Sequence, residues 1–315
     1  MRIVHVDTST EWRGGQRQLQ LLIRGLQARG HQQRLVCVPE SPVSGIDVAQ
    51  VAAYPGADLR NAVVVRRQRC DVLAAHTSHA HQACVLAGRR PVVHRRVDFR
   101  VSGGLKYRQA LGYVCVSEAV RRVLAEVVPE EKLAVVHDGV DALEPMSAAE
   151  LGEGSIVLAV GALVDHKDHA TLDAAAAGLD ARVLVAGSGP LDDLPNLELL
   201  GQRQDVAALF ARADVFVHPS KEEGLGQVVL EALHAGVPIV ATTAGGLPEV
   251  LDGVALLVPP QDPEALRQAL RRALGGDHPD PAEGRARARR FSSAAMVRGT
   301  EAAYIRFTQA GEEPE

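Results

Sequence analysis

The sequence predicts an α/β protein with two doubly wound domains, each a parallel sheet covered by helices. Apolar runs of four to six residues alternate with segments of helical periodicity, a pattern typical of parallel strands buried on both faces. The alternation stops in the polar segment 141–154 and then starts again. A length of 315 residues with 46% hydrophobic content is sufficient for two cores of ordinary size.

The strands and helices follow from this alternation in chain order. The first series predicts strands at residues 3–6, 35–38, 63–65, 72–75, 92–94, 113–116 and 133–137. The second series predicts strands at residues 156–160, 182–186, 197–200, 215–218, 239–242 and 255–258. Apolar residues at helical spacing predict a helix over 16–29, and further helices are predicted near 263–274 and 293–308.

The break between the two series divides the chain into domains. We expect a short first domain at residues 1–145 and a second domain at 150–290, facing each other across a cleft. The closing segment 291–315 is expected to form a helix that crosses back to the first domain. Ligands of doubly wound sheets bind beyond the carboxyl ends of the strands, so residues that follow strands are the functional candidates.

Composition argues against several classes of protein. No run approaches the ~18 apolar residues of a membrane-spanning helix, and residues 1–7 predict a strand and not a signal peptide. The four cysteines lack the spacing of a zinc site and the density of a disulfide scaffold, which favours reduced thiols in a cytoplasmic protein.

Charge is distributed unevenly along the chain. Residues 1–145 contain 20 Lys and Arg against 14 Asp and Glu, whereas residues 146–315 contain 14 against 25. The basic first half favours an anionic partner, although an arginine-rich composition that drifts along the chain would give the same imbalance.

The segment 219–231 carries the strongest functional signal because it joins a strand end, a glycine-rich turn and a helix start. Its sequence is Pro-Ser-Lys-Glu-Glu-Gly-Leu-Gly-Gln-Val-Val-Leu-Glu. Backbone N–H groups and the helix dipole attract an anion at such a point. Glu223 in the turn and Glu231 inside the helix would flank a ligand, and carboxylates accept hydrogen bonds from sugar or ribose hydroxyls. The alternative is an ordinary βαβ unit with a surface glutamate.

Two other strand ends carry glycines, which let the backbone approach a ligand closely. Gly14 and Gly15 precede the first helix, and Gly161 is followed by Lys167, which would either reach a phosphate or lie on the surface. Lysine is scarce, with four residues against 30 arginines, and this favours a specific role for Lys167. The run Ala-Gly-Ser-Gly-Pro at 186–190 lacks the third glycine of a dinucleotide turn, so no nicotinamide or flavin site is expected there.

Histidines cluster after the strand predicted at 72–75. His76 lies at the carboxyl end of this strand and is expected to contact substrate, with a capping or solvated role and a zinc site as alternatives. His79 and His81 are two apart on a helix and point to different sides, and no cysteine or acidic ligand is near, so we predict no metal. Arg95 and Arg96 follow another strand of the basic half and are placed to meet an anionic acceptor.

Together these motifs resemble the retaining glycosyltransferases of family 4, also called group 1, which have the two-domain GT-B fold. The resemblance is strongest over about residues 155–260. It rests on the Glu-x7-Glu pair, on Val160-Gly161 followed by Lys167, and on the runs Ala-Asp-Val-Phe-Val-His-Pro-Ser at 213–220, Ala-Gly-Val-Pro-Ile-Val at 235–240 and Gly-Gly-Leu-Pro-Glu at 245–249. Weaker matches in the first half are Gly14-Gly15 and the runs at 71–76, 116–118 and 138–141.

The resemblance implies a role for each matching residue. Gly14 and Gly15 would offer amides to the donor diphosphate, and Lys167 would neutralise it. Glu231 would hold the ribose hydroxyls. Glu223 would hold the transferred sugar, and His76 would contact that sugar at the reacting face. The implied catalytic set is His76, Lys167 and Glu223, and the donor-binding set is Gly14, Gly15, Gly161, Lys167, Gly224, Leu225, Gly226, Gln227 and Glu231.

The activity implied is transfer of a sugar from a UDP- or GDP-type nucleotide sugar to a hydroxyl of a glycan, lipid-linked or other saccharide, with retention. Residues 1–145 would form the acceptor-side domain and 150–290 the donor domain. No cofactor or metal is implied, and the chain contains no Asp-x-Asp. The expected setting is cell-envelope polysaccharide biosynthesis in the cytoplasm, with peripheral contact to an anionic membrane surface and no nucleic-acid partner.

Two departures from the family pattern favour alternatives. The family places an arginine directly after the glycine of the Lys167 loop, where this chain has Ala162. The first half is also short for the family. These departures favour a non-catalytic nucleotide-sugar or carbohydrate-binding protein. An epimerase of the same fold that acts on a nucleotide sugar is the third interpretation.

Overall fold

The computed structural model describes residues 1–99, 101, 104–142 and 146–310, apart from the side chain of Leu105. The chain forms two compact units. The first comprises Met1–Gly139 together with the helix Ser293–Ala310, and the second is Val140–Ser292. The predicted domain boundary at residue 145 and the last five residues of the segment 291–315 lie outside the described residues.

The first unit is a parallel sheet with helices on its faces. Its strands are β1 (Arg2–Asp7), β2 (Gln32–Cys37), β3 (Ala49–Ala52), β4 (Val72–Ala75), β5 (Val92–Arg95), β6 (Gly112–Cys115) and β7 (Leu133–Val135). Its helices are α1 (Gly14–Ala28), α2 (Arg60–Arg66), α3 (Ser78–Leu86), α4 (Gly104–Arg108), α5 (Glu118–Ala125) and the last helix of the chain, α12 (Ser293–Ala310). The strand order is β3-β2-β1-β4-β5-β6-β7, and every pairing is parallel.

The second unit repeats this architecture with one strand fewer. Its strands are β8 (Ile156–Val160), β9 (Arg182–Ala186), β10 (Glu198–Gly201), β11 (Val215–His218), β12 (Ile239–Thr242) and β13 (Leu256–Val258). Its helices are α6 (His169–Ala176), α7 (Val206–Arg212), α8 (Gln227–Ala235), α9 (Leu247–Leu251), α10 (Pro263–Leu274) and α11 (Pro281–Ala288). The strand order is β10-β9-β8-β11-β12-β13.

Both sheets are doubly wound, as the sequence predicted. The strand order reverses once in each sheet, between β1 and β4 in the first and between β8 and β11 in the second. At such a reversal the loops after the two neighbouring strands leave toward opposite faces, which opens a crevice at their carboxyl ends. The residues that follow these four strands are therefore the ones that the fold brings to a binding edge.

The last helix contributes to the core of the first unit. Tyr304 and Phe307 of α12 are at most 2% exposed and pack with residues of α1 and the central strands. Gly112 in β6 makes this packing possible, because a Cβ atom there would lie 2.5 Å from the Phe307 ring. The sheet of the first unit is thus covered by a helix that lies more than 150 residues further along the chain.

One local prediction was wrong, and one strand was missed. Residues 63–65 were predicted as a strand but lie inside helix α2, where Val65 is buried and Val63 is 53% exposed. Three consecutive valines favour a strand locally, yet the burial of one side of the segment against the core gives a helix. The strand β3 was not predicted, because Ala49–Ala52 lies at the sheet edge and has no buried residue to mark it.

Candidate functional site

In the second unit, the loops after β8 and β11 bring Lys167 and Glu223 together. Lys167 closes a short 3-10 turn after β8, and Glu223 lies in the glycine-rich turn after β11. The Lys167 Nζ donates to Oε2 of Glu223 in an ion pair whose side chains are 19% and 14% exposed. The two residues are 56 positions apart in sequence, and the adjacency of β8 and β11 makes them neighbours.

Two contacts of Lys221, which lies in the turn after β11, hold this turn against the loop after β8. Its backbone N–H donates to the carbonyl of His166 at 3.0 Å, and its Nζ lies 2.7 Å from a carboxylate oxygen of Asp165. The Asp165 side chain is 89% exposed, so the ion pair itself stabilises little. The backbone hydrogen bond to His166, the residue before Lys167, is therefore the contact that keeps Lys167 beside Glu223.

His218 is the third residue of this cluster. It is the last residue of β11, is 2% exposed, and its Nε2 lies 2.9 Å from Oε2 of Glu223 and 3.1 Å from the hydroxyl of Ser220. Burial would raise the pKa of Glu223, but the Lys167 charge and the His218 contact outweigh it and hold that pKa well below its usual value. Burial lowers the pKa of His218, against the opposing effect of Glu223. The cluster therefore contains a charged lysine, a carboxylate and a neutral imidazole at neutral pH.

Glycines after β9 support the lysine loop. A Cβ at Gly187 would lie 1.8 Å from the carbonyl oxygen of Gly161, and one at Gly189 would lie 2.3 Å from that of Leu163. The Lys167 side chain in turn passes within 3.9 Å of a Cβ position at Gly161. The Gly-Ser-Gly run at 187–189, which does not match a dinucleotide-binding turn, thus packs against the loop that carries Lys167.

Ala162 occupies an exposed position in the same loop. Its carbonyl oxygen accepts a hydrogen bond from Nε2 of the buried His169 at 3.1 Å, which anchors the loop to the start of α6. The exposed methyl group of Ala162 leaves no cation at this position, so among the side chains of this loop Lys167 is the basic group that lies next to Glu223.

The start of α8 lies directly after the Glu223 turn. Gly226 precedes the helix with φ +88°, a left-handed conformation, and a Cβ there would lie 2.8 Å from Leu247. Having no side chain, Gly226 leaves the first amides of α8 without a side-chain cap. Glu231, one turn further on, is 4% exposed, and the N–H of Gly246 holds the Glu223 carbonyl at 3.0 Å. Gly224, Leu225 and Gln227 occupy the same turn and helix start.

In the first unit, Asp7 organises the glycine turn at the other reversal of strand order. It ends β1, is fully buried, and accepts hydrogen bonds from the N–H of Ser9 at 2.9 Å and the Gln16 side chain at 3.0 Å. Burial raises the pKa of Asp7 against these hydrogen bonds. Gln16 also accepts from the N–H of Arg13, so the carboxylate fixes the turn that starts α1 at Gly14.

His76 follows β4 beside this turn and belongs to a buried group of imidazoles. Its ring lies 5.2 Å from that of His5 and 4.4 Å from that of His94, centroid to centroid. Its Nε2 is 3.0 Å from Nδ1 of His5. Burial, with the neighbouring histidines and Arg96 adding to it, lowers the pKa of His76 well below its usual value.

The two arginines predicted to meet an acceptor have different surroundings. Arg95 donates to the carbonyl of Phe99 at 2.8 Å. Arg96 pairs with Asp138 at 3.1 Å, with side chains 15% and 7% exposed, and its Cδ lies 3.9 Å from a Cβ position at Gly15. Arg96 therefore lies next to the glycine turn of α1, and Asp138 compensates part of its charge.

Sequence reasoning found the strand-end residues and missed those that hold them. The sequence analysis assigned no site role to His218, Asp7 or His5, because a polar residue in or at the end of an apolar run is indistinguishable from the rest of the strand. Within the described ranges, no group of three His, Cys, Asp or Glu residues could hold a metal ion. Nor does any described helix combine the length and apolar character needed to cross a membrane.

Comparison with known families matches both units. Residues 154–275 match "Glycosyl transferases group 1", and residues 12–142 match "Glycosyltransferase Family 4". Together these matches cover the first unit from α1 through β7 and the second unit from β8 through α10.

Individual relatives match smaller parts of the chain. An uncharacterized glycosyltransferase of Methanocaldococcus jannaschii is 29% identical over 171 residues, 50% of this chain and 48% of that protein. A GDP-mannose-dependent mannosyltransferase of Corynebacterium glutamicum, named for a monoacylated phosphatidylinositol monomannoside, is 37% identical over 114 residues, 30% of each chain. The chain thus matches about half or less of the length of these curated relatives.

A solved structure supports the fold over nearly the full length. The crystal structure of Anabaena HepE in complex with UDP-glucose has a TM-score of 0.81 at 19% sequence identity, and the match covers 96% of this chain and 99% of that one. This similarity confirms the predicted GT-B class of two Rossmann-like domains. The two family matches establish that the chain belongs to the family 4, group 1 glycosyltransferases.

Proposed function

We propose that this protein transfers a sugar from a nucleoside-diphosphate sugar of the UDP or GDP type to an acceptor hydroxyl, with retention and without a metal. The observation that carries the proposal is the cluster of Lys167, Glu223 and His218 beside the uncapped start of α8. A cation and the N-terminus of a helix suit a diphosphate, while carboxylate oxygens suit hydroxyls. HepE, solved in complex with UDP-glucose, and the GDP-mannose-dependent relative support both kinds of donor.

Each residue has a proposed task in its own unit. In the second unit, Lys167 neutralises the diphosphate, Glu231 accepts hydrogen bonds from the ribose, and Glu223 holds the sugar. Oε2 of Glu223 already accepts from Lys167 and His218, which fixes the carboxylate, and Oε1 is the oxygen that would accept from the sugar. In the first unit, the amides of Gly14 and Gly15 would bind phosphate oxygens, and His76 would contact the sugar.

The proposed chemistry requires no protein nucleophile. The bond between the anomeric carbon and the phosphate oxygen breaks, and a bond to the acceptor oxygen forms on the same face. The acceptor proton passes to the departing phosphate oxygen, so charge and atoms balance. Negative charge grows on the diphosphate during this step, and preorganised donors such as Lys167 stabilise it more than the ground state.

Turnover assays with a donor panel test this proposal. UDP, GDP and ADP sugars are incubated with the protein in the presence of a chelator, with and without a saccharide acceptor panel. We expect one nucleoside diphosphate to be released only with acceptor. Loss of activity in the chelator would contradict metal independence, and an isomerised sugar formed without acceptor would indicate an epimerase.

Ala162 supports one alternative of a different class, a non-catalytic nucleotide-sugar-binding protein. The loop lacks the second cation that the family pattern carries, so stabilisation of the leaving group is weaker. Tight binding of a donor by titration, without release of nucleotide across the acceptor panel, would favour this alternative. Restoration of turnover in Ala162→Arg would then assign the defect to this position.

We further propose that the first unit contacts an anionic surface, such as a membrane that carries a lipid-linked acceptor. Arg34, Arg67 and Arg69 line a cavity of about 330 Å3 near the starts of β1 and β2, and within the described chain none of them has an ion-pair partner. Vesicles with anionic lipid should co-sediment the protein more than neutral vesicles at low salt. Equal binding of Arg67→Gln/Arg69→Gln and the unmodified protein would reject this surface.

A further inference from the structure

Three histidines and a tyrosine form a buried column in the first unit. His5 lies in β1, His76 follows β4, His94 lies in β5, and Tyr304 comes from α12. The side chains are at most 8% exposed, and the His94 Nε2 lies 2.7 Å from the tyrosine hydroxyl. Burial lowers the pKa of His5 to about 4 and also lowers the pKa values of His76 and His94, so all three rings are neutral at neutral pH. A neutral imidazole carries one N–H and one bare nitrogen, so the position of each proton decides what the ring can bind.

The proton positions follow from a chain of contacts that starts at Ile23. Its backbone carbonyl can only accept, so the Gln33 side-chain atom 2.8 Å away must be the amide nitrogen. The other Gln33 atom, Oε1, is then an acceptor, and it lies 2.9 Å from Nε2 of His5. His5 must therefore carry its proton on Nε2, which leaves its Nδ1 bare.

The same logic continues to His76. Its Nε2 lies 3.0 Å from the bare Nδ1 of His5 and must donate to it. The proton of neutral His76 is thus on Nε2, and its Nδ1 has a free lone pair. This Nδ1 is buried and makes no hydrogen bond to any described residue. A buried acceptor without a partner costs about 1–3 kcal/mol, which is relieved when a hydroxyl or water donates to it.

We propose that Gln33 and His5 are positioning residues that hold His76 in the Nε2–H form, so that its Nδ1 accepts a hydrogen bond from a hydroxyl of the donor sugar. The role in sugar binding rests on the proposed transferase function, whereas the proton positions rest on the contacts alone. The polarity of the site follows directly. His76 selects for a group that donates a hydrogen bond, and a fluorine or carboxylate at the same place is disfavoured.

Nitrogen NMR tests the proton positions without any substrate. In protein labelled with 15N-histidine, long-range proton–nitrogen correlations at pH 7.5 distinguish the protonated from the bare nitrogen of each ring. His76→Gln assigns the signals of His76. We expect His5 and His76 to be protonated on Nε2, and a proton on Nδ1 of His76 would overturn the proposal whether or not the protein is active.

Matched variants test whether Gln33 and His5 fix the proton position of His76. Gln33→Leu removes the acceptor for His5, and His5→Phe removes the acceptor for His76. His5→Asn restores an oxygen near the position of Nδ1. We expect Gln33→Leu and His5→Phe to mix or invert the His76 signals and to lower donor kcat/KM by about 5- to 100-fold, while His5→Asn stays close to the unmodified protein.

Deoxyfluoro donors provide the final readout. The unmodified protein should discriminate against fluorine at one sugar position, and this discrimination should fall in Gln33→Leu. If Gln33→Leu changes the His76 signals but leaves donor kinetics and this discrimination unchanged, the proposal fails while the transferase function stands. If no nucleotide sugar is bound or turned over and the predicted proton positions are found, the proposed function fails instead. Should His5→Phe not fold, Gln33→Leu, at a half-buried side chain, still decides the question.

Discussion

Replacing Lys167 by alanine removes the cation that contacts Glu223 after β8. In the resting cluster the Lys167 ammonium neutralises a carboxylate that is 14% exposed and that also contacts His218. When a diphosphate binds, we expect the ammonium to bond a phosphate oxygen as well, since three N–H donors are available and Glu223 uses one. The substitution therefore affects both the bound state and the free state.

The size of the effect follows from these two states. Two unit charges about 4 Å apart attract by about 4 kcal/mol at an effective dielectric constant of about 20. Part of this is offset because Lys167 already interacts with Glu223, which leaves about 1.5–3 kcal/mol, the usual value of a hydrogen bond to a charged group. Affinity for a nucleoside diphosphate should fall about 10- to 150-fold. The fold should lose about 2–3 kcal/mol, since His218 still contacts the carboxylate that remains.

Titration calorimetry with UDP and GDP measures the affinity, and urea unfolding measures the stability. Lys221→Ala is the matched control, because Lys221 lies in the Glu223 turn, close to the Lys167 loop, and pairs with the exposed Asp165. It should change stability by less than about 1 kcal/mol and leave affinity unchanged. Lys167→Ala/Glu223→Gln removes the isolated carboxylate, so it should bind the diphosphate better than the single variant. Unchanged affinity in Lys167→Ala, or equal losses in both lysine variants, would refute this reasoning.

The remaining predictions concern stability. Gly187→Ala should lower the free energy of unfolding by more than about 2 kcal/mol, because its Cβ would lie 1.8 Å from the Gly161 carbonyl oxygen. Gly45→Ala is the control: a Cβ there has nothing within 4 Å, so the loss should be less than about 0.5 kcal/mol. Equal urea midpoints for the two variants would contradict this. Because burial lowers the pKa of His5 to about 4, the unfolded chain binds more protons at about pH 5. His5 alone should therefore account for a loss of about 1.6 kcal/mol of unfolding free energy between pH 6.5 and 5. The slope of unfolding free energy against pH should flatten in His5→Asn. Phe307→Ala should destabilise the first unit by about 3–5 kcal/mol, and a melting temperature within 2 °C of the unmodified protein would contradict that.

The fold could be predicted from the sequence because buried parallel strands leave a local signal. The five apolar residues of β8 lie between a serine and a glycine, and such a run can hardly be anything except a buried strand. Residues 63–65 have the same composition over a shorter length, and there the tertiary environment decided for a helix. The helix 293–308 was predicted, together with its return to the first domain, but the contacts that hold it there, such as Phe307 against Gly112, are not encoded by periodicity.

The candidate site was predictable only in its strand-end residues. Lys167, Glu223 and His76 were found because parallel strands present the residues that follow them at one edge of the sheet. The ion pair between Lys167 and Glu223 could not be predicted, since it depends on the neighbouring positions of β8 and β11. The residues that contact Glu223 and His76 from within the strands, His218 and His5, were missed. Both are buried polar residues, and a sequence does not show which partner will hydrogen-bond to them.

The stereochemistry of transfer tests the central claim most directly. Proton NMR of the reaction mixture, recorded in the presence of a chelator with the donor found in the panel assay, follows the anomeric signal of donor and product. We predict release of nucleoside diphosphate together with a product that keeps the anomeric configuration of the donor. A product of inverted configuration, or a donor that is bound but never transferred to any acceptor, would contradict the account.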